Sequence, residues 1–306
     1  IESNKRQDGA RPSLLKRIGV GLLDFVFAAI VTFGLVAISY VSFFKPLGYD
    51  NAVATIYEKH DESHLFHMLD GDYVQIINDY DENKTATANY DVPVTYFYST
   101  DERAIKDNKL EKYIDAKLAS DYYTLDSENN CVLKDGVMQS SVKTFLEGEY
   151  SKAVEYFFED PVLLDASKTM FDIMAWTVFF AVTISSVAFY IVVPLIDKHN
   201  RTFGYMIGKM MVVTRDELKP ISKGKAILRN VVFIVISYIS AVTIYMLTGS
   251  MNFVIIPLFA NTLILCVTKR NYGIHDFAVN SCVVNRSMSN EFTILENIKQ
   301  MGGNNN

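Results

Sequence analysis

Apolar residues in this chain come in blocks, not on alternating faces. Four stretches, Ile18 to Phe44, Met174 to Ile196, Ile227 to Leu247 and Asn252 to Val267, are hydrophobic nearly all round. Each is near the ~17–25 residues that cross a ~30 Å hydrocarbon layer, so the pattern predicts about four transmembrane helices. The last is short, and Pro257 is placed to kink it. Between the first and second lies a polar interval of about 120 residues, rich in Tyr and Phe, long enough for a small core of its own. There the pattern predicts helices over Ala52 to Leu69, Ala104 to Ala119 and Ser141 to Phe158. "VPVTYFYS" alternates as a strand does after Pro93, and "YYTLDSENNCVLKDG" reads as a hairpin turning at Asn129 and Asn130. The expected fold class is an all-α integral membrane bundle of about four helices carrying an inserted extracytoplasmic α+β domain.

The polar connections of the bundle have their own order. Thr202 caps a short helix that Gly208 ends, "MMVV" is a brief strand, and Ser222 caps the approach to the third apolar stretch. After the fourth, Gly273 reads as a C-cap and "SCVV" as a second strand, so Met211 to Val213 and Ser281 to Val284 are expected to pair. The organisation is then a tail at 1–13, a first helix at 14–44, an insert at 45–168, a three-helix membrane region with a loop at 169–286, and a tail at 287–306.

Charge sets the expected orientation. The net charge of −6 hides a division: residues 45–168 carry 25 acidic and 12 basic side chains, the rest 10 and 17. Basic residues gather before the first stretch (Lys5, Arg6, Arg11, Lys16, Arg17), between the second and third, and after the fourth (Lys269, Arg270, Arg286). The positive-inside rule puts both termini and the middle loop in the cytoplasm of a multi-pass cell-membrane protein, with the acidic insert outside. The first stretch is too long for a removable signal peptide. Of the three cysteines, Cys131 falls outside, Cys266 in the membrane and Cys282 inside, so no disulfide is expected.

Candidate chemistry begins with Asp24, a carboxylate inside the first apolar stretch, where ionisable groups mark functional sites by default. On a helix Arg17, Gly21, Asp24 and Ala28 share a face, and the small residues let a neighbour approach. Seven residues rise about 10 Å, and the arginine leans toward the N-terminus, so Arg17 and Asp24 seek separate partners. Asp276 stands at the right depth for Arg17. For Asp24 the candidates are Asn261, Thr262, Tyr238, Ser237, Arg229, an ion or a proton. His275 beside Asp276 could titrate near neutral pH or satisfy a helix end. Thr183, Ser186, Tyr190, Ser237 and Ser240 suit interhelical hydrogen bonds more than a cation path. "DYDENK" at Asp79 lacks the later residues of a calcium loop. No nucleotide loop, nucleophile–base pair or metal-ligand spacing stands out, so neither an enzyme nor a cofactor, metal or nucleic-acid partner is expected.

"KRIGVGLLD", "NRTFGYMIGKMMVV" and "GIHDFAVNSCVV" together resemble the signature stretches of the RDD family of bacterial and archaeal membrane proteins. The resemblance implies that Arg17 is the family's arginine, Asp24 its membrane aspartate and Asp276 its second aspartate. Gly204, Gly208, Lys209 and Arg229 fit the middle stretch. This sequence departs at Gly21, Asn200, the spacing before Gly208 and the large insert. Some members of the family act in cation/proton antiport and others accompany secretion or assembly systems. The expectation is a secondary transporter using Asp24, with Arg17, Asp276 and His275 as an inner latch supported by Gly273 and Asn261. The alternative is a scaffold or sensor whose outer domain binds a partner or ligand. Expected partners are the bilayer, a monovalent cation and proton, and a second copy or other membrane protein.

Overall fold

A computed structural model describes residues 11–216, 219–249, 255–268 and 271–285. The chain divides into two compact units: Leu47–Asp172, and a membrane unit made of the chain up to Pro46 and from Ile173 onward. Both are mostly helical, with three two-stranded sheets among the described residues.

Among the described residues three helices are long and apolar enough to cross a membrane: Leu14–Phe44, Pro161–Ile196 and Lys223–Thr248, the first, second and third spans below. The fourth apolar helix covers Ile255–Val267, with Pro257 inside its first turn. The first span inverts the rule for soluble helices. Over Leu14–Ser39 its buried residues are Arg17, Val20, Asp24 and Ala28, at spacings of three and four, while Phe33 and Ile38 are exposed. Both charges therefore face protein and the apolar majority faces lipid, as the cost of a charge in hydrocarbon requires.

Two of the spans are interrupted by π-helical turns, Ala188–Val192 and Val235–Ile239. Such turns push one side chain out of helical register and free backbone groups. Tyr190 and Tyr238 sit in these turns and meet hydroxyl to hydroxyl at 2.7 Å, and Asn230 Nδ2 donates to the Tyr190 carbonyl at 2.6 Å. Tyr190 is the member of the polar stripe that joins helices in this way; Thr32 and Ser185, outside the stripe, share a hydrogen bond of 2.6 Å, and the hydroxyls of Ser186 and Ser237 are buried without a partner among the described residues.

The polar connections pack into a small cap. Thr202 accepts from the Tyr205 N–H and starts the helix Phe203–Ile207, which ends at Gly208. Met210–Thr214 pairs antiparallel with Ser281–Asn285, Met211 opposite Val284 and Val213 opposite Cys282, as the apolar patterns suggested. Gly273 is not a C-cap. It precedes the short helix Ile274–Ala278 with φ −82°, and Asn271, at φ 52°, makes the left-handed turn.

The inserted unit has its own core, centred on the fully buried Tyr90, Val94, Phe97, Val142, Leu146 and Tyr150. Its helices run Tyr49–Ser63, Val92–Thr100, Glu102–Lys106, Lys109–Ala119 and Gln139–Phe158. Three expectations are corrected. The first helix stops at Ser63, where His64 turns left-handed (φ 54°), and Phe66–Leu69 forms a hairpin with Asp72–Gln75 across Asp70–Gly71. "VPVTYFYS" is a helix: Pro93 fits its first turn, and Val94, Phe97 and Tyr98 bury at helical spacing. The stretch from Ala104 to Ala119 is broken by Asn108 at φ 53°. The Tyr123–Leu125 and Cys131–Leu133 hairpin forms as expected, with Asn129 at φ 62° in its turn. Inside this unit Lys117 Nζ lies 2.9 Å from both oxygens of the buried Asp91, which also accepts from the Tyr113 hydroxyl at 2.7 Å.

Candidate functional site

Asp276 is wholly buried, and it is the hub of a charged cluster. Arg17 Nη2 donates to its Oδ2 at 2.7 Å and Arg229 Nε to its Oδ1 at 2.9 Å, while the Gly273 N–H donates to Oδ2 at 3.0 Å. Arg17 also donates to the Asn271 carbonyl. Arg229 reaches the Tyr205 hydroxyl at 3.1 Å and Asn230 Oδ1 at 3.2 Å. Burial opposes ionisation of Asp276, but the attraction of Arg229, with His275 and Arg17, outweighs it and holds the carboxyl well below the usual range. One carboxylate thereby joins the first span, the third span and the segment after the fourth apolar helix.

His275 does not titrate near neutral pH. Burial, reinforced by Arg229 and Arg17 and opposed by Asp276, pushes its imidazole down to about 3. Its Nε2 stands 3.7 Å from Asp276 Oδ1, beyond hydrogen-bond length, and its ring meets Phe233 edge-on.

Asp24 is 3% exposed and has a different setting. Thr202 Oγ1 donates to its Oδ2 at 2.6 Å and the Gly204 N–H to its Oδ1 at 2.7 Å. The donors come from the start of the helix Phe203–Ile207, where backbone N–H groups have no intrahelical acceptor. The approach needs glycine: a Cβ on Gly204 would stand 2.4 Å from the Val20 carbonyl oxygen and 2.9 Å from Asp24 Oδ2, and one on Gly208 would meet Val20 Cγ2 at 2.5 Å. Gly204 and Gly208 thus form a small-residue pair, one turn apart, on which the first span rests. Gly21 has no such neighbour.

None of the side chains foreseen as partners makes a described hydrogen bond to Asp24. Arg229 binds Asp276, Tyr238 binds Tyr190, the Ser237 hydroxyl is unpartnered, and the side chain of Asn261 lies outside the described residues. Lys209, left-handed at φ 50°, is exposed and apart from the cluster. Tyr205, Asn230 and the carboxylate-binding role of Thr202 and Gly204 were not anticipated. The signal that could have found them is the Thr-x-Gly-x-x-x-Gly spacing, which joins a helix start to a close-packing face.

Among the described residues no arginine or lysine forms a salt bridge with Asp24, and both of its hydrogen-bond donors are neutral. A cavity of about 70 Å3 lies between it and the cations, lined by Arg17, Asp24, Tyr190, Tyr205, Arg229 and His275. That is room for several waters, and it connects a carboxylate to hydroxyls that can relay a proton.

Buried charges gathered between apolar helices long enough to span a bilayer define an integral membrane protein. Residues 155–280 match the model of the RDD family. The match takes in the second and third spans, the Thr202–Gly208 segment and Asp276. Arg17 and Asp24 precede it, and they meet matched residues only through the fold. No curated protein and no solved structure matches the chain.

Proposed function

We propose that the protein is a secondary transporter in which Asp24 exchanges a proton for a monovalent cation. The observation that carries this reading is the contrast between its two buried aspartates. Asp276 is gripped by two arginines and is locked, whereas Asp24, lining a cavity, is held by one hydroxyl and one backbone N–H. Neutral donors leave its negative charge available to a proton or a cation. When Asp24 takes a proton, one oxygen ceases to be a full acceptor, which weakens the hold of Thr202 or Gly204 and loosens the segment Thr202–Gly208 from the first span. That loosening is the step that opens the cavity. Arg17, Arg229 and Asp276 keep the helices together meanwhile. No bond of a substrate is made or broken in this scheme.

The charge asymmetry supports an orientation with both termini and the Thr202–Gly208 segment in the cytoplasm and the inserted unit outside. A single copy has few helices for alternating access, so the transporter acts as an assembly of copies. A second reading, a scaffold or sensor, is favoured by one feature: an inserted unit with a separate core. Everted vesicles containing the protein distinguish the two. Cation-driven proton movement that disappears with Asp24→Asn supports exchange. Movement that persists in Asp24→Asn overturns it, and no movement in the unaltered protein leaves the scaffold or sensor.

A further inference from the structure

The inserted unit contains a cavity of about 820 Å3, within the range of small-molecule sites. Its walls come from the helices Tyr49–Ser63, Val92–Thr100 and Glu102–Lys106 and from the first turn at Pro161. Three observations separate it from a packing defect. Asp160, 6% exposed in its floor, accepts the Val162 N–H at 2.7 Å and pairs with Lys59 Nζ at 3.3 Å, and Arg103 adds a second cation to the same lining. The lining also holds Lys106 and Asp101, and neither Arg103 nor Lys106 forms a salt bridge among the described residues. Arg103 is fixed by stacking on Tyr156, its Cζ 3.9 Å from the ring centre, and by donating to the Tyr156 carbonyl, yet its Nε is buried with no acceptor among the described residues. A buried donor without a partner is rare enough to require an explanation. Finally, Glu62 and Glu102 are exposed in the same lining and form no salt bridge among the described residues, while Tyr96 and Val162 offer apolar surface, 40% and 51% exposed.

We propose that this groove binds a short peptide, its carboxylate taken by Arg103 and Lys59, its ammonium by Glu62 and Glu102, and its side chains laid on Tyr96 and Val162. The volume is several times that of a free amino acid, and opposite charges within one groove that also offers apolar surface suit a molecule with a charge at each end. An anion alone would leave the two glutamates unmatched, and a cation alone would leave Arg103 so. The site is independent of the exchange reading, because it lies wholly within the inserted unit.

Calorimetric titration of the full chain in detergent with the tripeptide Ala-Leu-Ala tests this. Its N-acetylated and C-amidated forms serve as controls. The expected result is saturable binding of the free tripeptide, weakened at least tenfold by blocking either end. Glu62→Gln should weaken the free tripeptide while leaving the N-acetylated form unchanged, and Thr100→Trp, which fills the groove from an exposed position, should abolish binding. No binding of the free tripeptide, equal binding of all three forms, or binding that Glu62→Gln leaves untouched would overturn the proposal. Transport in vesicles is a separate readout, so failure here does not bear on Asp24.

Discussion

Arg17 and Asp276 stand 259 positions apart in the chain and 2.7 Å apart in space, but Arg17 does not hold Asp276 alone. Arg229 occupies the other carboxylate oxygen at 2.9 Å. This sharing changes what a charge exchange should do. If the pair were isolated, Arg17→Asp with Asp276→Arg would restore a broken contact. Here the new arginine would face Arg229 across a buried site. We expect the double exchange to be no more stable than Asp276→Ala alone, itself destabilised by roughly 3–5 kcal/mol because two buried cations lose their counter-ion. Thermal unfolding in detergent checks it, and a double variant that melts near the parent would refute the shared grip.

Asp24 should separate stability from function. Asn keeps an acceptor for the Gly204 N–H, and the Thr202 hydroxyl can turn to accept from the amide. Asp24→Asn should therefore cost less than about 1.5 kcal/mol, the scale of one neutral hydrogen bond, while Asp24→Ala strands a buried N–H and costs about 1–3 kcal/mol. Equal melting temperatures for the two variants would show that Gly204 does not rely on this carboxylate.

The close approach at Gly204 predicts a contrast among glycines. Gly204→Ala puts a methyl 2.4 Å from a backbone oxygen that cannot yield cheaply, whereas Gly19 has nothing within 4 Å of its would-be Cβ. Overpacking of this kind costs about 1–3 kcal/mol. Gly19→Ala should be neutral or slightly stabilising, since alanine is the better helix former by up to about 1 kcal/mol. Melting of the two variants side by side tests whether the segment sits on the first span.

The sequence made Arg17 and Asp276 legible because both lie at predictable depth at the ends of apolar stretches, and an arginine leaning toward the N-terminus of its helix has few carboxylates to meet. It did not reveal Asp24's partners. Thr202 reads as the cap of a short polar-side helix, and nothing in its local pattern says that the start of that helix enters the protein beside the first span. Arg229 was a candidate partner of Asp24, and the packing of the third span brings it to Asp276 instead. In the inserted unit, Asp70–Gly71 is a hairpin signal masked by a helical pattern that runs on to Leu69. "VPVTYFYS" deceived because Val92, Val94, Tyr96 and Tyr98 alternate while Val94, Phe97 and Tyr98 also recur at helical spacing. Eight residues satisfy both periods, and burial against Tyr113 and Tyr156 decides for the helix.

The last prediction concerns acid. His275 has a folded-state pKa pushed down to about 3 from an ordinary value of 6.5. Above pH 6.5 the imidazole is neutral whether the chain is folded or not, and it contributes no pH dependence. Below that, the unfolded chain binds a proton that the folded one refuses, so stability falls as the pH falls, by up to about 1.4 kcal/mol per pH unit for a single group. His60 in the inserted unit, also lowered by burial, acts with the same sign. Asp276 and Asp197, both lowered, add their losses only below about pH 4, where unfolded carboxylates begin to protonate. Melting temperature between pH 7 and 4.5 should therefore decline in the parent protein and decline less in His275→Gln, with the two curves converging toward pH 7 apart from a constant offset. Parallel curves over that range would mean that His275 is protonated in the folded protein, and that the cluster around Asp276 holds one more positive charge than its geometry implies.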